Sequence, residues 1–217
     1  MLEQLWIGLP SMLRGLWITL ELSLIVIVLG SLIGFSGGLI LTYGPRFLKL
    51  LVRLYVDTVR GIPVLVLIFA CFYGLPVFFN IQIDAFSSGI IALSTFVGAH
   101  MTEVVRGSVA SIPKTQNDAA KAVGLTFWQR LRFVILPLAV RRIIPPWVNT
   151  AVETVKGSSL ISLIGVVDLM LAAQQVVGRT FNTIPTYVLA ALMYFIVNYT
   201  ISRLAARLEQ RYAFLRY

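Results

Sequence analysis

Residues 112–142 read IPKTQNDAAKAVGLTFWQRLRFVILPLAVRR, the longest polar and basic run in an otherwise apolar chain. Pro113 stops a preceding helix, because proline has no amide hydrogen for the ladder. Thr115 is placed to cap a new helix, with Asp118 three residues on in capping-box spacing and well placed for the helix dipole. Ala119, Ala120 and Val123 give that helix a small, flat face. Gly124 suits the left-handed residue after a helix C-terminus. Thr126 and Gln129 form a second capping box. Two short helices are therefore expected, meeting at a sharp angle around Gly124 and Leu125. Phe127 and Trp128 follow the second cap, and Arg130 and Arg132 face water or lipid phosphate.

The surroundings decide where this knob sits. The 217 residues are 58% hydrophobic and 12% charged, with a mean hydropathy of +0.88. Soluble domains usually carry about 25% charged residues, so lipid is the expected solvent. The net charge of +9 does not point to nucleic acid, because the bases sit in clusters between apolar runs rather than on one solvated face. Cys71 is the single cysteine, so no internal disulfide forms. The first eleven residues, with Trp6, Glu3 and Pro10, lack a cleavable-signal pattern and are expected to lie along the membrane surface.

Five membrane spans are expected, over about residues 16–42, 54–79, 86–109, 143–171 and 185–205. The first carries Gly30, Gly34, Gly37 and Gly38, a stripe where another helix can approach closely. Pro63 is expected to bend or interrupt the second. The fourth is opened by Pro145-Pro146 and interrupted in its middle at Gly157, Ser158 and Ser159, with Gly165 following. It reads as a helix, a bend and a partly re-entrant piece, which requires cover by protein or a water-filled cavity. Residues 172–184 are expected at a surface. Of the 18 Lys and Arg residues, 15 follow spans one, three and five. Only Arg14, Lys156 and Arg179 fall elsewhere. This asymmetry orients the N-terminus outside and the C-terminus in the cytoplasm, which makes the 112–142 stretch a cytoplasmic docking element.

Ionisable groups inside spans are costly and mark candidate sites. Asn149, Glu153, Lys156 and Leu160 fall on one helix face. Glu153 either receives a substrate ammonium or pairs with Lys156; Asn149 and Ser158 can hydrogen-bond a carboxylate. Asp57, Arg60, Glu103 and Arg106 are expected as ion pairs that fix helix packing or close an inner gate. His100 is expected to be hydrogen-bonded packing. No metal-ligand spacing or nucleophile–base arrangement points to catalysis.

Asp118-Ala119-Ala120, Gly124, Val134 and Leu136-Pro137 together resemble the EAA loop of ABC importer permeases. The family pattern is Glu-Ala-Ala, Gly and Ile-x-Leu-Pro at the same spacing, so Asp stands for Glu and Val for Ile. Arg60-Gly61-Ile62-Pro63 is similar to the Arg-Gly-Thr-Pro of polar amino acid permeases. Glu103 to Gly107 and Ser111-Ile112-Pro113 resemble the segment before their loop. Asn149 and Lys156-Gly157-Ser158-Ser159-Leu160 resemble their Asn and Lys-Asp-Thr-Ser-Leu. Gln174 and Gln175 fall where the family often has Gln. His100-Met101 departs from the family's Ala-Tyr. The resemblance covers about residues 16–205.

The resemblance implies an all-α, polytopic permease of about five transmembrane helices, a single domain with a cytoplasmic coupling-helix loop, in a bacterial inner membrane. It implies two ATPase subunits, which bind ATP and Mg, and a second permease subunit, identical or homologous. It further implies a substrate-binding protein outside and a polar amino acid as cargo, moved by alternating access. Asp118, Ala119, Ala120, Gly124 and Leu125 would couple to the ATPase; Asn149, Glu153, Ser158 and Ser159 would contact substrate. The chain itself has no Gly-x-x-x-x-Gly-Lys-Ser/Thr loop. An ion-coupled secondary carrier is the alternative; it predicts internal repeats, and none is visible. A membrane-embedded enzyme would need a catalytic constellation.

Overall fold

The computed structural model describes the backbone of residues 2–213 and the side chains of residues 8–207. These residues form helices joined by short turns, with no strand among them. Helix α1 (Leu2–Tyr43) runs through Pro10 without a break. The expected separate surface segment over residues 1–11 is therefore corrected: its described backbone belongs to the first span. Packing holds the helix through the proline, with Met12 fully buried and Gly8 pressed against the Val176 side chain. The side chains of Glu3 and Trp6 lie outside the described residues, as do those of Arg211 and Arg216.

After Gly44-Pro45 comes α2 (Arg46–Gly61). The chain then turns by 108° into α3 (Val64–Phe79). Pro63 makes the turn: its extended backbone (φ −57°, ψ 134°) cannot continue α2, and it starts α3 instead. The second apolar stretch is therefore a bent pair of helices rather than one rod, with its break at Pro63 as expected. A π-helical turn at Ala70–Gly74 lies inside it. Helix α4 (Ala85–Ala110) is capped by Asp84, which accepts from the Ser87 amide at 3.1 Å.

The centre of the molecule is the contact of α1 with α4. Leu22, Val26, Val97, Met101 and Val105 are buried there. Close approach is possible because α1 presents glycine: a methyl group added at Gly34 would lie 2.2 Å from Met101 Cβ. The stripe legible in the sequence is thus a packing surface.

Helix α5 (Lys114–Ala122) follows Pro113. A helical rod then runs over Phe127–Ile164. This α6 includes a π-helical turn at Leu131–Ile135 and a 3₁₀ turn at Ser158–Ile164. Pro145 and Pro146 lie inside it and do not open it, contrary to expectation. Bonds on both sides hold the rod through the two prolines. Arg142 donates to the Ser111 carbonyl and to Ser111 Oγ, the latter at 2.7 Å, and Trp147 Nε1 donates to Ser31 Oγ at 2.8 Å.

Gly165, at φ +90°, breaks the rod. Helix α7 (Leu169–Thr180) and then α8 (Thr183–Ala213) complete the chain. Residues 172–184 are not simply a surface segment. Leu169, Ala172 and Ala173 are fully buried and Val176 is 5% exposed, while Gln174 and Gln175 face outward. That i, i+3, i+4, i+7 pattern is an amphipathic helix with one covered face.

Three helical segments are long and apolar enough to cross a bilayer: Gly8–Tyr43, Ala85–Ala110 and Thr183–Arg207. Two bent pairs, α2 with α3 and α6 with α7, raise the number to as many as five where each pair counts as one span. The upper figure matches the expected five, with the second and fourth then broken.

Candidate functional site

The 112–142 stretch folds as a compact knob. Helix α5 starts at Lys114 because Pro113 has its φ fixed at −56°. Thr115 therefore lies within the helix and caps nothing, which corrects the expected first capping box. Asp118 instead pairs with Lys121 at 3.2 Å, both largely exposed. Ala120 is buried at 6% exposure and anchors the knob, whereas Ala119 and Val123 face outward.

Gly124 has φ +81°, the left-handed region where a side chain is strained. Its amide donates to the Lys121 carbonyl at 2.9 Å, and the Leu125 amide donates to that of Ala120 at 3.1 Å. These two bonds make a Schellman motif and satisfy carbonyls at the helix end. The second capping box forms as expected. The Gln129 amide donates to Thr126 Oγ1 at 3.4 Å, and the Thr126 amide donates to Gln129 Oε1 at 2.8 Å. Arg130 closes the turn by donating to the Leu125 carbonyl at 3.1 Å. The Phe127 ring meets Tyr43 edge-on, with centroids 5.5 Å apart, so the end of α1 supports the knob. Val123 and Trp128, 75% and 74% exposed, stand at its outer surface.

A second group of sequence-predicted residues lies farther along α6. Asn149, Glu153 and Lys156 share an exposed face. Lys156 Nζ is 3.2 Å from Glu153 Oε1, with both side chains more than half exposed. Ser159 Oγ donates to the Lys156 carbonyl at 2.8 Å. Ser158 is turned the other way. It is fully buried, and its Oγ donates to the Val155 carbonyl at 2.9 Å. Nine residues beyond Asn149, Ser158 falls on the opposite side of the helix, so it cannot join Asn149 and Glu153 at the open face as expected.

The expected ion pairs form a network with one different member. Glu103 accepts from Arg53 at 3.0 Å and from Arg106 at 2.6 Å, and Asp57 lies 3.9 Å from Arg53. Asp57 and Arg60 do not pair, and Arg60 has no ion pair among the described residues. Arg53, counted in the sequence only as a positive charge, is the residue that joins α2 to α4. Tyr55 strengthens the same joint by donating to the Thr95 carbonyl at 2.7 Å. His100 Nδ1 lies 3.0 Å from the Phe96 carbonyl, and its ring packs on Phe96.

Sequence reasoning missed Asp168. It is fully buried, accepts from the Leu171 amide at 2.9 Å and accepts from Tyr194 Oη at 3.3 Å. Beside it, the Leu169 amide donates to Thr19 Oγ1 at 3.1 Å. This cluster ties α1, α7 and α8 together. The available signal was an acid just before an apolar helix, the position of an N-cap. No group of three or more His, Cys, Asp or Glu side chains converges on a metal site among the described residues.

Known proteins share this architecture. Residues 26–214 match the family described as binding-protein-dependent transport system inner membrane component. The glutamine transport system permease protein GlnP of Escherichia coli (strain K12) is 32% identical over 208 residues, 95% of each chain. The probable glutamine ABC transporter permease protein GlnP of Bacillus subtilis (strain 168) is 36% identical over 200 residues, 91% of each. From the same organism, the L-cystine transport system permease protein TcyB is 35% identical over 203 residues, 93% of this chain and 86% of that one. The crystal structure of an amino acid ABC transporter with histidines superposes with a TM-score of 0.87 at 31% identity, covering 93% of this chain and 94% of that one. An inward-facing structure of the MetNI methionine ABC transporter, at 21% identity and a TM-score of 0.80 over 94% and 96% of the two chains, shares the fold. With its broken second and fourth crossings and its capped knob, the chain belongs to the inner-membrane permease family of binding-protein-dependent ABC transport systems.

Proposed function

We propose that this chain is the permease subunit of an ATP-driven importer of polar amino acids. One observation carries the reading: the knob and the open polar face lie on the same helix. From Phe127 to Asn149, α6 rises roughly 33 Å at 1.5 Å per residue. Displacement of the knob is thereby transmitted to Asn149, Glu153 and Lys156. Relatives named for glutamine and cystine transport support a zwitterionic cargo. Glu153 would receive the substrate ammonium in exchange for Lys156, which then faces the carboxylate together with Asn149. Ser159 lies at the edge of this face, and Ser158 contributes packing.

In this mechanism two partner ATPases hold ATP and magnesium and grip Asp118, Ala119, Gly124 and Leu125, with buried Ala120 keeping the knob rigid. A second permease subunit, identical or homologous, completes the path. A substrate-binding protein delivers the cargo from outside. The bias of positive charge supports an orientation with the knob and the C-terminus in the cytoplasm and the N-terminus outside. ATP-driven closure of the ATPases rocks the bundle between two openings. The network of Asp57, Arg53, Glu103 and Arg106 holds α2 against α4 near the knob, where an inner gate would close.

The test is reconstitution of the chain with its ATPase and binding protein in liposomes, followed by uptake of labelled amino acids. Uptake should require ATP on the knob side, and mass spectrometry of the purified complex should identify an amino acid. Uptake driven by an ion gradient without ATP would establish a secondary carrier instead.

A further inference from the structure

We propose that α2 is an in-plane interfacial helix that binds anionic phospholipid headgroups through its basic row. Its sixteen residues divide into three faces. Val56 and Val59 are buried in the bundle. Tyr55 and Arg53 pin this side to α4 through the bonds to Thr95 and Glu103. A second face carries Phe47, Leu50 and Leu54, 69%, 66% and 64% exposed, which none of the described residues covers. Between them runs a row of Arg46, Lys49, Arg53 and Arg60, against the single acid Asp57.

Two observations set the depth and tilt of the helix. Lys49 Nζ donates to the Thr42 carbonyl at 2.9 Å, which holds the start of α2 at the end of α1. That end also carries Tyr43, which supports Phe127 of the knob. Helix α2 therefore sits at the leaflet on the knob side. The 108° turn into α3 lays α2 near the bilayer plane when α3 crosses the bilayer. An apolar face with basic residues alongside it is the pattern of a helix seated at the headgroup boundary. Arg46 and Arg60 are exposed and have no ion-pair partner among the described residues, so both are free to meet phosphate. An antiparallel two-fold contact of two copies through this face would bring both basic rows to the same side, where like charges oppose it. The inference rests on the membrane reading and does not depend on the cargo.

The experiment uses the full chain with the subunits that copurify, in nanodiscs. Spin-labelled phosphatidylglycerol and phosphatidylcholine report relative association. The native protein should prefer phosphatidylglycerol, and R46Q/R60Q should lose that preference by up to about fivefold per arginine at low salt. Lys114→Gln, a charge removed from the knob, should leave it unchanged. An unaltered preference in R46Q/R60Q, or an equal loss in K114Q, overturns the proposal. Abolition of the preference by inorganic phosphate would mean a soluble anion site and also overturns it. Depth is measured independently of these charges, with a nitroxide on Leu54→Cys in a Cys71→Ser background. The label should lie roughly 5–10 Å below the phosphates. A water-exposed label, or one at the bilayer centre, overturns the in-plane helix.

Discussion

Replacing Gly124 tests the knob at its hinge. At φ +81° a residue with a Cβ is strained, by roughly 1–2 kcal/mol for an ordinary side chain. A β-branched side chain is a stronger outlier there. No atom of the described chain lies within 4 Å of the position a Cβ would take, so a Cβ meets no clash inside the chain itself. The opposing force is the pair of bonds to the Lys121 and Ala120 carbonyls, worth about 1 kcal/mol each. Strain and capping are thus of similar size, and Gly124→Val should depopulate the native turn by about tenfold, since 1.4 kcal/mol is a factor of ten. Asparagine tolerates the left-handed region, so the order of function should be Gly, Asn, Ala, Val. The assay is ATP-dependent uptake in proteoliposomes alongside ATP hydrolysis by the same complex. Uptake should fall by about tenfold in G124V while hydrolysis persists. Native uptake in G124V, or an asparagine variant worse than alanine, would refute the argument from backbone strain.

Other perturbations probe the remaining features. Glu153→Gln should change selectivity among acidic, neutral and basic amino acids; native kinetics for all three would reduce the Glu153–Lys156 pair to surface charge. Asp168→Ala leaves the Leu171 amide and Tyr194 hydroxyl without their acceptor, which should cost about 1–3 kcal/mol and lower the Tm in detergent, with Asp168→Asn milder. Glu103→Gln should destabilise more than Arg53→Gln, because it strips both arginines of their shared partner; equal thermal shifts would contradict the network. Hydrogen bonds from the Ser87 hydroxyl and amide hold the Asp84 carboxyl below its ordinary range. Its capping contribution is therefore present above the unfolded-state pKa and lost as pH falls through the folded-state value. Acid unfolding followed by circular dichroism should show this loss in the native chain and not in Asp84→Asn.

Much of the molecule could be read directly from residue order. Apolar runs separated by basic clusters define crossings in lipid, since every unpaired backbone group there is costly. Pro63 marked one break and Gly124 a left-handed turn, because these constraints are local to the backbone, whereas the interruption expected at Gly157 to Ser159 lies instead at Gly165. The glycine stripe of α1 announced a close helix contact for the same reason. What local pattern could not supply was the partner of each group. Thr115 has capping chemistry, yet the fixed φ of Pro113 starts the helix two residues too early to use it. Pro145 and Pro146 look like breakers, yet bonds from Arg142 and Trp147 to Ser111 and Ser31 carry α6 through them. Ser158 has the hydroxyl to meet a carboxylate, yet it points away from the open face and bonds the Val155 carbonyl inside the core. Arg53 and Asp168 acquire their roles only through residues 50 and 26 positions away. The sequence by itself determined an all-helical membrane permease with a capped knob, because helix formation, turn geometry and burial in lipid are set by neighbouring residues. Tertiary structure alone decided which charges pair and which serines are hidden, because those energies depend on side chains brought together by packing rather than by sequence.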